Sequence, residues 1–218
     1  MKILVLDLHT GENRRDSKIT KILSRYAKAF TLRLFSSEFS YELLESYDAI
    51  VLSGSNNMRI YGDSRVRELK PFLMKLASNG VNILGICGGS QVLASTFGYR
   101  RYMLREPEDG WYPIHITEQG RVDPLFKGLE DGFMAFESHI LAVRCDDKTE
   151  ILAENEDCIQ AILYRSNVRG VQFHPEVSLE RRGDNLRKTK TDEGATEAYT
   201  KVQESSAWQI FENFVKMT

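Results

Sequence analysis

The stretch Asn82-Ile83-Leu84-Gly85-Ile86-Cys87-Gly88-Gly89-Ser90-Gln91 reads as a buried strand that ends at a cysteine and turns at once into a helix. Gly85 and Gly89 stand two residues before and two after Cys87. A nucleophile elbow needs that spacing, because the nucleophile sits on a sharp, strained turn where flanking side chains would clash. Such a turn aims sulfur out of the carboxyl edge of the sheet, where open α/β sheets bind ligands. The Gly88 N–H can then serve as an oxyanion donor, and the dipole of the new helix favours a thiolate. The same residues also fit a structural cysteine in a glycine-rich turn, since cysteine packs as a small hydrophobe. This segment alone leaves the two readings open. A phosphate-cradling loop fits less well, because no Lys-Ser/Thr pair closes the motif.

Working outward, the first half of the chain alternates strand and helix patterns. Lys2 to Leu8 and Asp48 to Ser53 are apolar runs that read as strands, as does Val81 to Ile86. Ser17 to Phe30 carries Ile19, Ile22, Leu23, Tyr26 and Phe30 at helical spacing, and Thr31 to Phe35 then reads as a strand. Arg65 to Ala77 is a second helix, with Pro71 expected to kink it or start its main part. Gln91 to Phe97 is a short helix stopped at Gly98. The second half offers short strands at Tyr112–Thr117, Phe133–Phe136, Ile140–Arg144, Glu150–Ala153, Ile159–Tyr164 and Gly170–Phe173, then a helix over about Ser206 to Lys216. The fold class is therefore α/β: an open, mostly parallel sheet flanked by helices, with a smaller antiparallel β section in the second half.

The chain has 218 residues, a formal net charge of −2, 42% hydrophobic and 28% charged residues. That size fits one domain, 1–218. No run approaches the roughly 18 apolar residues of a membrane span, so no membrane role is expected. The N-terminal apolar run is cut by Asp7, which argues against export and for a cytoplasmic protein. Near-neutral charge argues against nucleic acid as a partner. The three cysteines and four histidines show no Cys-x-x-Cys or His-x-x-x-His spacing, so neither a disulfide framework nor a metal site is expected. Residues 178–205 are almost wholly polar. They read as a solvated surface insertion or as a lid or docking element.

A thiolate nucleophile calls for a base and a group to orient it. His174 lies in Gly170-Val171-Gln172-Phe173-His174-Pro175-Glu176, directly after an apolar strand. The Glu176 carboxylate can accept from one imidazole nitrogen and leave the other to face sulfur. Pro175 stiffens the turn that carries both groups.

The two motifs together, in this order, resemble the class I glutamine amidotransferases, whose patterns are G-x-C-x-G-x-Q and (Q/F)-H-P-E. The likeness runs from the first strand to Ile210-Phe211-Glu212-Asn213-Phe214. The resemblance implies Cys87 as nucleophile, His174 as general base and then acid, and Glu176 as orienting carboxylate. It implies oxyanion donors at Gly88 and in the Ser53-Gly54-Ser55 loop, here Gly54 and Ser55. It also places Gln91, Ser138 and His139 near the substrate. It implies glutamine as substrate and, as partner, a separate synthetase that receives ammonia, with no cofactor. Gly54-Ser55, Gly110-Trp111-Tyr112-Pro113-Ile114, Asp123 to Leu129 and Glu137-Ser138-His139 are similar to stand-alone relatives of the glutaminase domain of GMP synthase. Two departures stand out. Ser-Gly-Ser-Asn-Asn at 53–57 replaces the family's Ser-Gly-Gly-Pro, and the polar insertion follows Glu176.

Two other functions use the same residues differently. One is a free-standing hydrolase of γ-glutamyl amides or peptides. The other is a non-catalytic binding protein on the same fold, against which the intact Cys87, His174 and Glu176 argue. His9, at the end of the first strand, is a weaker pocket candidate. His115 reads as structural, Cys145 and Cys158 as inert, and Asn56, Asn57 and Arg59 as exposed loop residues or, less readily, as lining the pocket mouth.

Overall fold

The computed structural model describes residues 1–10, 16–177 and 207–218. Nine strands among these residues form one sheet in the order β2-β1-β3-β4-β9-β8-β7-β5-β6. They are β1 (Lys2–Asp7), β2 (Lys28–Arg33), β3 (Ala49–Leu52), β4 (Asn82–Ile86), β5 (Arg100–Ile116), β6 (Phe133–Arg144), β7 (Glu150–Glu154), β8 (Ile159–Arg165) and β9 (Val168–Val171). Parallel pairing joins β2, β1, β3, β4 and β9. From β9 outward through β8, β7, β5 and β6 the pairing is antiparallel. The expected α/β architecture is thus the observed one.

The strands of the parallel half are apolar along their whole length because both faces are covered. Ile3, Val5, Ala49 and Val51 join one core with Ile19 and Leu23 of helix α1 (Asp16–Leu23) and Ile210, Phe211 and Phe214 of helix α5 (Gln209–Lys216). Their neighbours Leu4, Leu6, Ile50 and Leu52 face the other way. They pack with helices α2 (Ser64–Ser78) and α3 (Gly88–Thr96). A fourth short helix, α4 (Glu118–Val122), lies between β5 and β6 in the chain.

Several local expectations are corrected. The helix expected over 17–30 ends at Leu23, and Phe30 lies instead in edge strand β2. Helical spacing of Tyr26 and Phe30 was coincidental: Ala29 to Leu32 pair with Ile3 to Leu6, and that ladder satisfies backbone groups a longer helix would have kept to itself. Helix α2 begins at Ser64, with the Asp63 carboxylate accepting from Arg65 N at 2.8 Å, and runs through Pro71 rather than starting there. Strand β5 opens at Arg100, twelve residues before the expected start. Its first part is rich in charge, with Arg100, Met103, Arg105, Glu106 and Pro107 exposed, so no apolar alternation announced it. The strands expected at 133–136 and 140–144 are one strand, β6, which carries Ser138 and His139 in its middle. The 178–205 insertion lies outside the described residues. No described helix is long and apolar enough to cross a membrane.

Candidate active site

Four loops meet at the carboxyl ends of the parallel strands: those after β1, β3, β4 and β9. Open α/β sheets bind ligands on this edge, because adjacent loops there splay apart. They line a cavity of about 830 Å³ together with β5 and β6.

Cys87 stands between β4 and α3 with φ +47° and ψ −107°. It is the one non-glycine residue at positive φ among the described residues. The conformation is held from both sides: Cys87 N donates to Val171 O at 2.8 Å, and Gln91 N donates to Cys87 O at 3.1 Å. The glycines are required by contact. A Cβ at Gly85 would lie 2.6 Å from Ser90 N, and one at Gly89 only 2.4 Å from Leu52 O.

His174 is positioned by β6. Its backbone N–H donates to Phe136 O at 2.8 Å in an isolated antiparallel bridge to β6. His174 Nδ1 lies 2.8 Å from Glu176 Oε1, and the ring and the Cys87 side chain meet beside Gly54, where an added Cβ would lie 3.1 Å from His174 Cε1 and 3.8 Å from Cys87 Cβ. The charges reinforce one another. Burial works against an imidazolium, but the Glu176 carboxylate and then the Cys87 sulfur outweigh it and hold His174 well above its ordinary pKa. Burial likewise pushes the Cys87 thiol up, but His174 and then His139 outweigh it and leave the thiol below its usual value. Glu176 is pulled down by His174 against the effect of burial. The arrangement can present a thiolate beside an imidazolium at neutral pH, which is the starting state for attack on a carbonyl carbon.

The other expected residues divide. Gly54 and Ser55 do reach the elbow. A Cβ on Gly54 would lie 3.1 Å from His174 Cε1, and one on Gly88 would lie 2.8 Å from Ser55 N. The backbones of Gly88 and Ser55 therefore approach closely beside the thiol, despite the altered loop sequence. Ser138 lines the cavity and is exposed. Gln91 also lines it, but its amide is engaged within the protein. Nε2 donates to Leu141 O at 2.7 Å and to Gln172 Oε1 at 3.0 Å, while Oε1 accepts from Tyr61. His139 lines the cavity with its side chain only 2% exposed, held 2.9 Å from Glu108 Oε2 and 3.0 Å from Glu137 Oε2. His9 lines the cavity with Nδ1 2.8 Å from Asp7 Oδ1, and Asn56 and Asn57 line it too. His115 is exposed near Asp131. Cys145 and Cys158 are free thiols, both raised in pKa chiefly by burial.

Sequence reasoning did not single out Tyr61, Glu108 or, as a separate group, Glu137. Glu137 had a signal: it is the charged residue that closes the apolar run Phe133-Met134-Ala135-Phe136. Tyr61 and Glu108 had none, since only the tertiary fold brings them to the cavity.

Residues 15–193 match the family model of the class-I glutamine amidotransferases. The chain is 30% identical over 186 residues to a subunit of the glutamine-hydrolysing GMP synthase of Sulfolobus acidocaldarius, covering 84% of this chain and 93% of that one. It is 27% identical over 201 residues to the imidazole glycerol phosphate synthase subunit HisH of Granulibacter bethesdensis, covering 83% and 91%. The crystal structure of a glutamine amidotransferase from Thermotoga maritima shares the fold with a TM-score of 0.70 at 20% identity, over 99% of this chain and 97% of that chain.

Proposed function

The chain belongs to the class I glutamine amidotransferases, and from that premise we propose that Cys87, His174 and Glu176 hydrolyse the side-chain amide of glutamine and release ammonia for a separate synthetase. The observation that carries the reading is the strained Cys87 beside an imidazole whose other nitrogen rests on Glu176.

The steps follow from these positions. The Cys87 sulfur attacks the amide carbon. The oxyanion forms where the Gly88 and Ser55 backbones converge, within reach of their N–H groups. His174 hands its proton to the departing nitrogen, and ammonia leaves a thioester on Cys87. Water, deprotonated by the same imidazole, then cleaves the thioester and frees glutamate. Glu176 holds the ring so that one nitrogen faces sulfur throughout, and it compensates the imidazolium charge. No step calls for a cofactor.

The likeness to a subunit of a glutamine-hydrolysing GMP synthase supports a GMP-synthase-like partner, an ATP-dependent synthetase that takes up the ammonia. The single-domain reading of 1–218 goes with this proposal.

The test is glutamate release from glutamine by the purified chain, alone and with a candidate synthetase, beside Cys87→Ser. Release that vanishes in the variant supports the proposal. A chain that leaves glutamine intact with and without the partner, yet cleaves a γ-glutamyl peptide, would replace it with the γ-glutamyl hydrolase reading.

A further inference from the structure

A second buried charge cluster lies beside the Cys87–His174–Glu176 line, centred on His139 in β6. Nδ1 of His139 lies 3.1 Å from the carbonyl oxygen of Leu141, and Nε2, without a hydrogen bond among the described residues, stands at ion-pair distance from the carboxylates of Glu108 and Glu137, 2.9 and 3.0 Å. A neutral imidazole has one N–H. Two carboxylates within 3.0 Å of Nε2, with a carbonyl oxygen at Nδ1, favour by charge the ring that carries both protons.

Glu108 is a carboxylate in a set of donors. Oε1 accepts from Asn155 Nδ2 at 2.6 Å, and Oε2 accepts from Gln160 Nε2 at 3.0 Å and the Cys158 thiol at 3.3 Å. Glu108, His139 and Cys158 also place metal-ligand atoms within 4.8 Å of one another. The donors already on Glu108, including the Cys158 S–H, make protons the occupants of that cluster instead. Glu137 is wholly buried, and its carboxylate has no hydrogen bond among the described residues, so its tie is the ion pair to His139.

The groups facing Cys87 come from three directions. His174, oriented by Glu176, comes from the turn after β9, and Tyr61, with Arg101 stacked 3.8 Å over its ring, comes from the loop after β3; both line the cavity with Cys87 and His139. His139 and Glu137 come from β6. Of these two, His139 favours the thiolate and Glu137 opposes it. We propose that His139 is a fixed buried cation, clamped by Glu108 and opposed by Glu137, that biases Cys87 toward the thiolate and so acts as a positioning residue for the chemistry at that sulfur. The clamp itself holds His139 up to a pKa of about 10, because the two carboxylates outweigh the cost of burial. This rests on the reading of Cys87 as nucleophile.

The test is the pH dependence of Cys87 alkylation by iodoacetamide, followed on the Cys87 peptide by mass spectrometry in the full chain. It needs neither glutamine nor a partner. Removing the cation in His139→Gln moves the alkylation midpoint up, on the order of one pH unit for a unit charge in a partly desolvated site. Restoring the charge in His139→Lys brings the midpoint back toward wild type. A midpoint unmoved in His139→Gln, or moved equally in both variants, overturns the proposal. Nitrogen-15 NMR of the wild-type ring decides the matter where a variant does not fold. Both His139 nitrogens stay protonated beyond pH 8, and a ring that titrates near its ordinary value of 6.5 overturns the assignment. An intact alkylation shift without glutamate release would instead count against glutamine as the substrate.

Discussion

Gly88 has no side chain because Ser55 leaves no room for one. An added Cβ would come within 2.8 Å of Ser55 N and 3.0 Å of Ser55 Cβ. Both belong to the loop that is to supply the second oxyanion donor, so Gly88→Ala displaces that loop and not merely the elbow. Losing one such donor costs roughly 10²- to 10³-fold in kcat. Gly88→Ala is therefore expected to lower kcat by that order with little change in KM, measured by steady-state glutamate release. A change confined to KM would break the assignment of the Ser53-Gly54-Ser55 loop. Cys87, Gly88, His174 and Glu176 were legible at this scale because the backbone demands of an elbow and the spacing of His-Pro-Glu are local. Glu108 was not. It joins His139 across a strand pair, and the register that opposes Glu108 to His139 appears nowhere in the neighbouring sequence.

Helix α3 and strand β6 are joined at Gln91, one helical turn past the nucleophile. Its amide binds Leu141 O in β6, Gln172 Oε1 just past β9, and the Tyr61 hydroxyl from the loop after β3. The resemblance put this glutamine near substrate. The structure adds that it fastens the elements that carry Cys87, His139 and His174. Gln91→Leu keeps the volume but leaves three polar partners unpaired, of which Gln172 is buried and Tyr61 and Leu141 partly so. At about 1–3 kcal/mol for a buried group left unsatisfied, the variant should lose at least that much in urea unfolding. Its kcat should fall as well, since the elements it joins hold the reacting groups. Unchanged stability would show that water satisfies the site and that the fastening role is wrong. Strand β6 illustrates why elements were harder to read than motifs. Ser138 and His139 looked like a break between two strands, yet they pair with Asp109 and Glu108, and the ladder resumes at Leu141 opposite Met103 after a register shift in β5. Hydrogen bonding to a neighbour overrode the polar interruption.

For the molecule as a whole, the buried ion pairs make stability depend on pH with a definite sign. The folded pKa of His139, about 10, lies above its ordinary value of 6.5. A cation with a raised pKa contributes its full stabilisation below the unfolded value and loses it as pH climbs through the folded one. The contribution is thus present below about pH 6.5 and declines toward pH 10. Glu137, raised to about 7 chiefly by burial, loses stabilisation as pH rises from its ordinary 4.5 toward 7. Wild type should therefore lose more of its thermal midpoint between pH 7 and pH 10 than His139→Gln does, followed by circular dichroism at matched ionic strength. Equal slopes would remove His139 from the account.

The chain's own order of residues determined the class of the fold, the elbow at Cys87 and the His174–Glu176 turn. Each depends on interactions a few residues apart: the periodicity of a strand, the steric needs of a tight turn, the reach of one side chain to its second neighbour. Tertiary structure alone decided where helix α1 ends, that β5 begins at Arg100, and that Glu108, Glu137 and His139 meet beside the thiol. Those outcomes are set by pairing between strands and by burial of charge against charge. Their energies belong to contacts between residues far apart in the chain, which local pattern does not record.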